Sequence, residues 1–296
     1  SQLDIGEINN SATLDASTLT ISAIDSSEIY AISAGGAGAE KIAVAGGISV
    51  NIILSDVQAY IAGTTTFIRA TGDIIVSALG TNKIYALSGN AAGAGKVAVG
   101  AALSYNQNES KVFAYISGAT IESINGNILI DALTTGEMIA ISAGGAFSGK
   151  VAVDGSVVIG VLNNEIRAYV DNSAKLTAAG SISISAADTI SAVLVAGVAG
   201  GAESAAVGVS NSTFVSHNEV LAYTGSNVFV KGKGKKAVVK TLGADLVTPG
   251  NWKEINHRGV FVNAVSDHAV RIFAAGGLGA GKVSVAASGT VSVIND

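Results

Sequence analysis

Five short stretches of the chain alternate apolar and polar side chains with a period of two, and they recur at fixed places. Their apolar positions form the triplets Leu19/Ile21/Ala23, Ile74/Val76/Ala78, Ile128/Ile130/Ala132, Ile182/Ile184/Ala186 and Val260/Val262/Ala264. Strict alternation over so short a run predicts a half-buried strand, and the β-branched residues suit a pleated, packed surface. Three of the five strands open on glycine, at Gly72, Gly126 and Gly180. Gly and Asn punctuate the corners, where a positive φ is expected. No segment carries a sustained helical period with caps.

A second feature stands at one fixed distance beyond the start of each triplet, at Lys41, Lys96, Lys150, Ser204 and Lys282. Three positions past each anchor lies Val44, Val99, Val153, Val207 or Val285. Further on, again at a fixed distance, the four complete copies read Ala59-Tyr60, Ala114-Tyr115, Ala168-Tyr169 and Ala222-Tyr223. The anchor interval is 54 or 55 for the first three steps and 78 for the last. Identical positions recurring at such a period predict stacking. The expected fold is all-β, a parallel β-helix (β-solenoid) built from repeats of about 54 residues, right-handed and continuous over residues 1–296. Each coil then covers its neighbours' strand edges except at the two ends, where end-to-end self-association is expected. With roughly 20 residues per coil, the expectation is two or three coils per repeat. Small Ala and Gly positions keep the cross-section narrow, and the four aligned tyrosines are expected to stack as a ladder along the axis.

The last full unit is longer than the one before it by 24 (78 against 54). Tyr169 to Gly180 is a step of 11, but Tyr223 to the equivalent Arg258 is a step of 35, so the extra length lies between those two. This stretch, taken as an insertion over residues 231–256, holds the only Pro (Pro249), the only Trp (Trp252) and the basic run Lys231, Lys233, Lys235, Lys236. An insertion in a solenoid is expected to leave it as a surface loop or small protrusion. One reading makes Trp252 and the four lysines a binding site, suited to an acidic glycan, anionic lipid or protein. The other makes the segment a solvated loop whose Trp covers the solenoid flank.

Composition narrows the picture. Hydrophobic residues make up 49%, aromatics only 5%, and there are 37 glycines, so the apolar content is Ala, Val and Ile. Such a chain is not disordered, which needs low hydrophobicity and high charge. No apolar run reaches the ~18 residues of a membrane helix, and no signal peptide is visible. The chain starts and stops inside a repeat, which suggests a piece of a longer protein. With no cysteine, disulfides and thiolate metal sites are excluded. A net charge of −5 argues against nucleic acid as partner.

Several motifs imitate chemistry. GGAFSGK (Gly144 to Lys150) and GGLGAGK (Gly276 to Lys282) match part of a phosphate-binding loop. Val151 and Val283 stand where Ser or Thr must ligate Mg²⁺, and a strand follows instead of a helix. GGAGAEKIA (Gly35 to Ala43) resembles a calcium-binding nonapeptide, but Glu40 is its one acid, and a single ligand builds no oxygen cage. Asp131 aligns with Ser77 and Ser185, so no carboxylate ladder is expected. His217, His257 and His268 lack ligand spacing, and His268 beside Asp267 reads as a surface pair. No catalytic residue, metal site or cofactor is expected, and the chain is read as a non-enzyme; a carbohydrate-active β-helix enzyme is the alternative.

Two longer segments, KVAVGAALSYNQNESKVFAYISGATIESINGNILIDA and GKVAVDGSVVIGVLNNEIRAYVDNSAKLTAAGSISISA, carry a likeness. They resemble repeats of very large bacterial exoproteins of the filamentous-haemagglutinin type, above all the fusobacterial leukotoxin-like filamentous adhesins. The resemblance covers nearly the whole chain except the insertion. It implies export of the parent by two-partner secretion through an outer-membrane transporter, and a location secreted from, or on the surface of, a Gram-negative bacterium. It also implies a β-helical stalk and attachment to a host-cell surface protein or glycan, or leukocyte toxicity. It supplies no catalytic motif. A pure structural spacer is a third reading.

Overall fold

The computed structural model describes the backbone of residues 2–8, 11–235, 239–244 and 252–295, and side chains at residues 8, 11–235 and 257–295. In chain order the strands are β1 (Gln2–Ile8), β2 (Thr13–Ala16), β3 (Leu19–Ala39), β4 (Ile42–Ala62), β5 (Phe67–Ala70) and β6 (Ile74–Ala94). There follow β7 (Val97–Ser117), β8 (Thr120–Ser123), β9 (Ile128–Ser148), β10 (Val151–Asp171), β11 (Lys175–Ala178) and β12 (Ile182–Ala202). The last are β13 (Ala205–Thr224), β14 (Phe229–Gly232), β15 (Val239–Ala244), β16 (Trp252–His257), β17 (Val260–Ala280) and β18 (Val283–Asn295).

Up to β14 every third strand pairs, in parallel and in register, and β12 with β17 and β13 with β18 continue the pattern across two inserted strands. A front sheet runs β1-β4-β7-β10-β13-β18, a back sheet β17-β12-β9-β6-β3, and a narrow base sheet β14-β11-β8-β5-β2. The chain is therefore a parallel β-solenoid. Its register fixes the coil: Ile42 pairs with Val97 and Val97 with Val151, so one turn consumes one whole repeat. The expectation of two or three coils per repeat is corrected to one. The physical reason is strand length. A full strand of the broad sheets, such as β4 or β7, has 21 residues, about 70 Å at the usual strand rise. A base strand such as β5 has 4 residues. Each coil is a flattened loop: along the back sheet, around a tight tip such as Glu40-Lys41, along the front sheet, and across the base.

The base end is the oily part of the interior. Val57, Ala59 and Ile61 of β4, Ile68 and Ala70 of β5, and Ile74, Val76 and Ala78 of β6 form a buried cluster that recurs coil after coil. The alternating triplets are the back-sheet wall of this cluster. Corners there use positive φ at Gly63, Gly118, Asn172 and Asn227, where glycine and asparagine adopt left-handed backbone at least cost. At the second corner a polar ladder climbs the stack. The Asp73 carboxylate accepts from the Asn127 backbone N–H (2.7 Å), the Asn127 side-chain oxygen from the Ser181 N–H (2.8 Å), and the Ser181 hydroxyl from the Gly259 N–H (3.0 Å). Buried backbone donors that the bend would leave unpaired are thus satisfied.

Towards the tip the two broad sheets close on each other. A Cβ on Gly47 would stand 2.2 Å from the Gly89 carbonyl oxygen, so glycine is required by the approach of two backbones. Inward serines bridge the sheets: Ser88 Oγ donates to the Gly47 carbonyl (2.9 Å), Ser156 Oγ to that of Ser142 (2.8 Å) and Ser210 Oγ to that of Ala275 (3.0 Å). The inner residues at the tip are alanines, Ala45, Ala92, Ala98, Ala146, Ala152 and Ala206.

Between base and tip the back sheet keeps an apolar inner face, with Ile84, Met138, Ile190 and Leu194 packed in one cluster with Val158, Leu162 and Phe214, but in β4 the usual pattern inverts. Inward from β4 point Ser49, Asn51 and Ser55, all buried, while Ile48, Val50, Ile52 and Leu54 point outward at 67%, 60%, 48% and 44% exposure. Two of the buried amides, Asn51 and Asn106, hydrogen-bond along the axis and to an inward serine. Asn51 Nδ2 donates to Asn106 Oδ1 (2.8 Å), and Asn106 Nδ2 to Ser104 Oγ (3.0 Å). The recurrent valines Val44, Val153, Val207 and Val285 lie on this outer face rather than in the core.

Candidate binding face

Lys231 and Lys233 do not leave with the insertion. Lys231 lies in β14, in register with Thr177 of β11, and its side chain is exposed on the base sheet. Lys233 donates its backbone N–H to the Ala178 carbonyl (3.0 Å), and Lys235 to that of Ala179 (3.0 Å), while Gly234 donates to Gly180 (2.8 Å). Residues 229–234 thus still follow the coil, and the departure from the repeat begins after Gly234, later than residue 231. Lys233 and Lys235 are exposed; Lys236 lies outside the described residues. Trp252 begins β16 opposite Ala244, and its side chain lies outside the described residues. The structure therefore brings Lys231, Lys233 and Lys235 to one corner of the base.

The inserted strands β15 and β16 pair antiparallel, Val239 opposite His257. β15 lies against β12. There the outward side chains Ser183, Ser185 and Ala187 are buried, whereas outward residues of the neighbouring coils are only half-buried. At the hairpin's exit the His257 ring stacks on Phe261 with centroids 4.2 Å apart, and burial pushes its pKa below the ordinary value. In the adjoining strand, on the same face, burial raises the Asp131 carboxyl to about 7. Asp131 is flanked by Ser77 and Ser185, so no carboxylate ladder forms along these strands, as its alignment predicted.

Past the hairpin's cover the back sheet opens into a groove of about 480 Å³. Thr81, Lys83, Thr135, Glu137, Ser191 and Arg271 line it, and Gly136, without a side chain, deepens its floor. Glu137 accepts from the Tyr85 hydroxyl (2.6 Å), which pushes the Tyr85 pKa up to about 12. Lys83 stands 4.0 Å from Glu28. The groove offers hydroxyls, two cations and an anion along one flat wall. That chemistry suits hydrogen bonding to a polar chain such as a glycan or an extended peptide. Sequence reasoning missed it because its residues are scattered over four repeats, and only the register sets them side by side.

The tyrosine ladder is present. Tyr60, Tyr115, Tyr169 and Tyr223 stack with centroids 4.7, 4.8 and 5.2 Å apart and planes within 3°. Each inner ring has both faces covered by other rings, which leaves edges rather than open platforms for a sugar. Desolvation by burial, foremost, raises the Tyr169 phenol well above its ordinary pKa.

His268 corrects the expectation of a surface pair. It points inward with its side chain 6% exposed, and its Nε2 lies 3.0 Å from Asp188 Oδ2 of the preceding coil, while Asp267 takes the opposite face. Carrying the phase of Val260/Val262/Ala264 four positions further would have placed it inside. The pair is walled in by both broad sheets. Among the described residues no group of three His, Cys, Asp or Glu is placed to hold a metal ion. The two phosphate-loop look-alikes are tips joining β9 to β10 and β17 to β18, with strand on both sides.

Fold and face together define the chain as a flattened parallel β-solenoid with one repeat per coil. Comparisons with protein families, with characterised proteins and with solved structures find no match.

Proposed function

We propose that the chain is a non-catalytic stalk or binding segment of a secreted or cell-surface bacterial protein, an adhesin or leukotoxin-like virulence factor. The observation that carries this reading is the one-repeat coil. Each repeat adds a full layer in register with the last, so the sequence is built to extend a surface by repetition. The likeness of its repeats to large exported exoproteins supports the bacterial surface and two-partner export. The back-sheet groove, with Lys83, Glu137 and Arg271, is the place where a host glycan or protein segment would lie. The alternative of a carbohydrate-active enzyme would have to use Glu137, the one carboxylate lining the groove among the described residues.

The test is binding of the purified chain to host cells and to a glycan array. Attachment that drops at least tenfold in a Lys83→Ala/Arg271→Ala variant supports the reading. Attachment that is absent altogether overturns it. Glycan turnover that Glu137→Gln abolishes would replace it with the enzyme.

A further inference from the structure

The outer face of the front sheet is apolar, and its surroundings say what covers it. From the tip to about half of the way along, the outward residues include Ile48, Val50 and Ile52 of β4, Val157 and Ile159 of β10, and Val209 of β13. No outward position from row 42/97/151/205/283 to row 52/107/161/215/293 carries a charge. Five strands at ~4.8 Å and about a dozen residues at ~3.3 Å give an area on the order of 900 Å². That matches the roughly 800 Å² per partner of a stable interface, and an apolar patch of this size on a free surface is uncommon.

Charge fixes the occupant. Along the tip stand exposed Lys41, Lys96, Lys150 and Lys282, offset by Glu40 and Glu203. Along the opposite margin stand the acids Asp56, Glu109, Glu165 and Glu219, offset by Lys111 and Arg167, the latter bridging Glu165 (2.6 Å) and Glu219 (3.0 Å). One long rim is net basic and the other net acidic. An anionic bilayer would attract the first and repel the second. A second copy, turned by a twofold axis lying in the interface along the stacking direction, sets each basic rim over the other's acidic rim. A twofold along the strands would instead oppose lysine to lysine.

We infer that the apolar front face is an interface between two copies of this chain, packed front to front with solenoid axes parallel and strands running in opposite directions. The outward valines and isoleucines then become a sandwich interior of the ordinary kind, two sheets about 10 Å apart. This inference is independent of the binding role proposed for the back sheet, which stays exposed in the pair.

The chain has no cysteine, so crosslinks report geometry cleanly. Residue 150 at the tip and residue 165 of β10 stand roughly 50 Å apart, too far to join within a copy. A bismaleimide spanning about 10 Å, the distance between packed sheets, is expected to give a covalent dimer of the Lys150→Cys/Glu165→Cys variant, while either single variant stays monomeric on a denaturing gel. Analytical ultracentrifugation of the unmodified chain is expected to show a dimer. Val157→Asp, which sets two carboxylates together near the twofold, is expected to give a monomer with unchanged far-ultraviolet circular dichroism. A monomeric unmodified chain overturns the inference. So does a crosslinked dimer of Lys150→Cys alone, or association that Val157→Asp leaves untouched, which would place it at the coil ends. Binding to phosphatidylserine vesicles that Val157→Asp abolishes, with the chain monomeric, would assign the face to a membrane.

Discussion

At the residue scale, side-chain size does more than hydrophobicity to shape this protein. Gly47 and Gly89 let two backbones meet, and the inward serines then reach across to the facing carbonyls. Gly47→Ala is expected to destabilise the chain by about 1–3 kcal/mol, since backbone on both sides must move apart. Gly93→Ala, on the outer face of the back sheet with nothing within 4 Å, is expected to be neutral or slightly stabilising. Urea unfolding of the two variants makes the comparison. Asp131 gives a pH signature. Its folded pKa of about 7 lies above the ordinary 3.8, so the folded state holds the proton more tightly than the unfolded state does. The contribution of this group to stability is fully present below about pH 4 and is lost as pH rises to 7. Asp131→Asn is therefore expected to match the unmodified chain near pH 4 and to exceed it at pH 8, by about 1–3 kcal/mol, in parallel denaturation curves.

Elements here are specified by register more than by propensity. The short base strands hold position because hydrogen-bonded neighbours lie above and below them. Among the described residues the hairpin β15–β16 is the one element outside the repeat, and it lies flat on the back sheet over Ser183, Ser185 and Ala187. Removal of residues 235–258 restores the regular spacing between Gly180 and its next equivalent. The shortened chain is expected to fold as a solenoid, with its midpoint of denaturation changed by no more than the small area uncovered. Hydrogen exchange checks this: protection should fall at residues 183–187 and persist at residues 128–132. Loss of all cooperative unfolding would make the hairpin a required part of the core.

For the whole molecule, stability accrues layer by layer. Each coil touches the coils above and below it and no others. Deletion of residues 97–150 removes one repeat and leaves β4 to pair with β10, whose inward Ile166, Ala168 and Val170 match Val112, Ala114 and Ile116 of β7 at the base, while Val158 and Leu162 replace Ser104 and Asn108 further along. The product is expected to fold, with a urea m-value lower by about one coil's share of buried surface and a lower melting temperature. A fold that depended on the number of coils would not survive the excision.

How much of this was legible beforehand follows from distance along the chain. The repeat, the parallel stacking, the tyrosine ladder and the apolar base could be read directly, because each is a local pattern copied at a fixed interval. Alternation in the triplets gave the inward phase correctly, as at Ile74, Val76 and Ala78. The great length of the strands in the broad sheets was hidden. Where the interior turns to Ser49, Asn51 and Ser55 and the exterior to Ile48, Val50 and Ile52, hydrophobicity no longer marks which side is in. Neither the Asp188–His268 pair nor the groove at Glu137 shows in any local window, since their members come from different coils. The sequence by itself determined what repeats and what stacks, for that is written afresh in every repeat. Only the tertiary structure decided which face is interior along each strand, because that depends on where the opposite sheet lies.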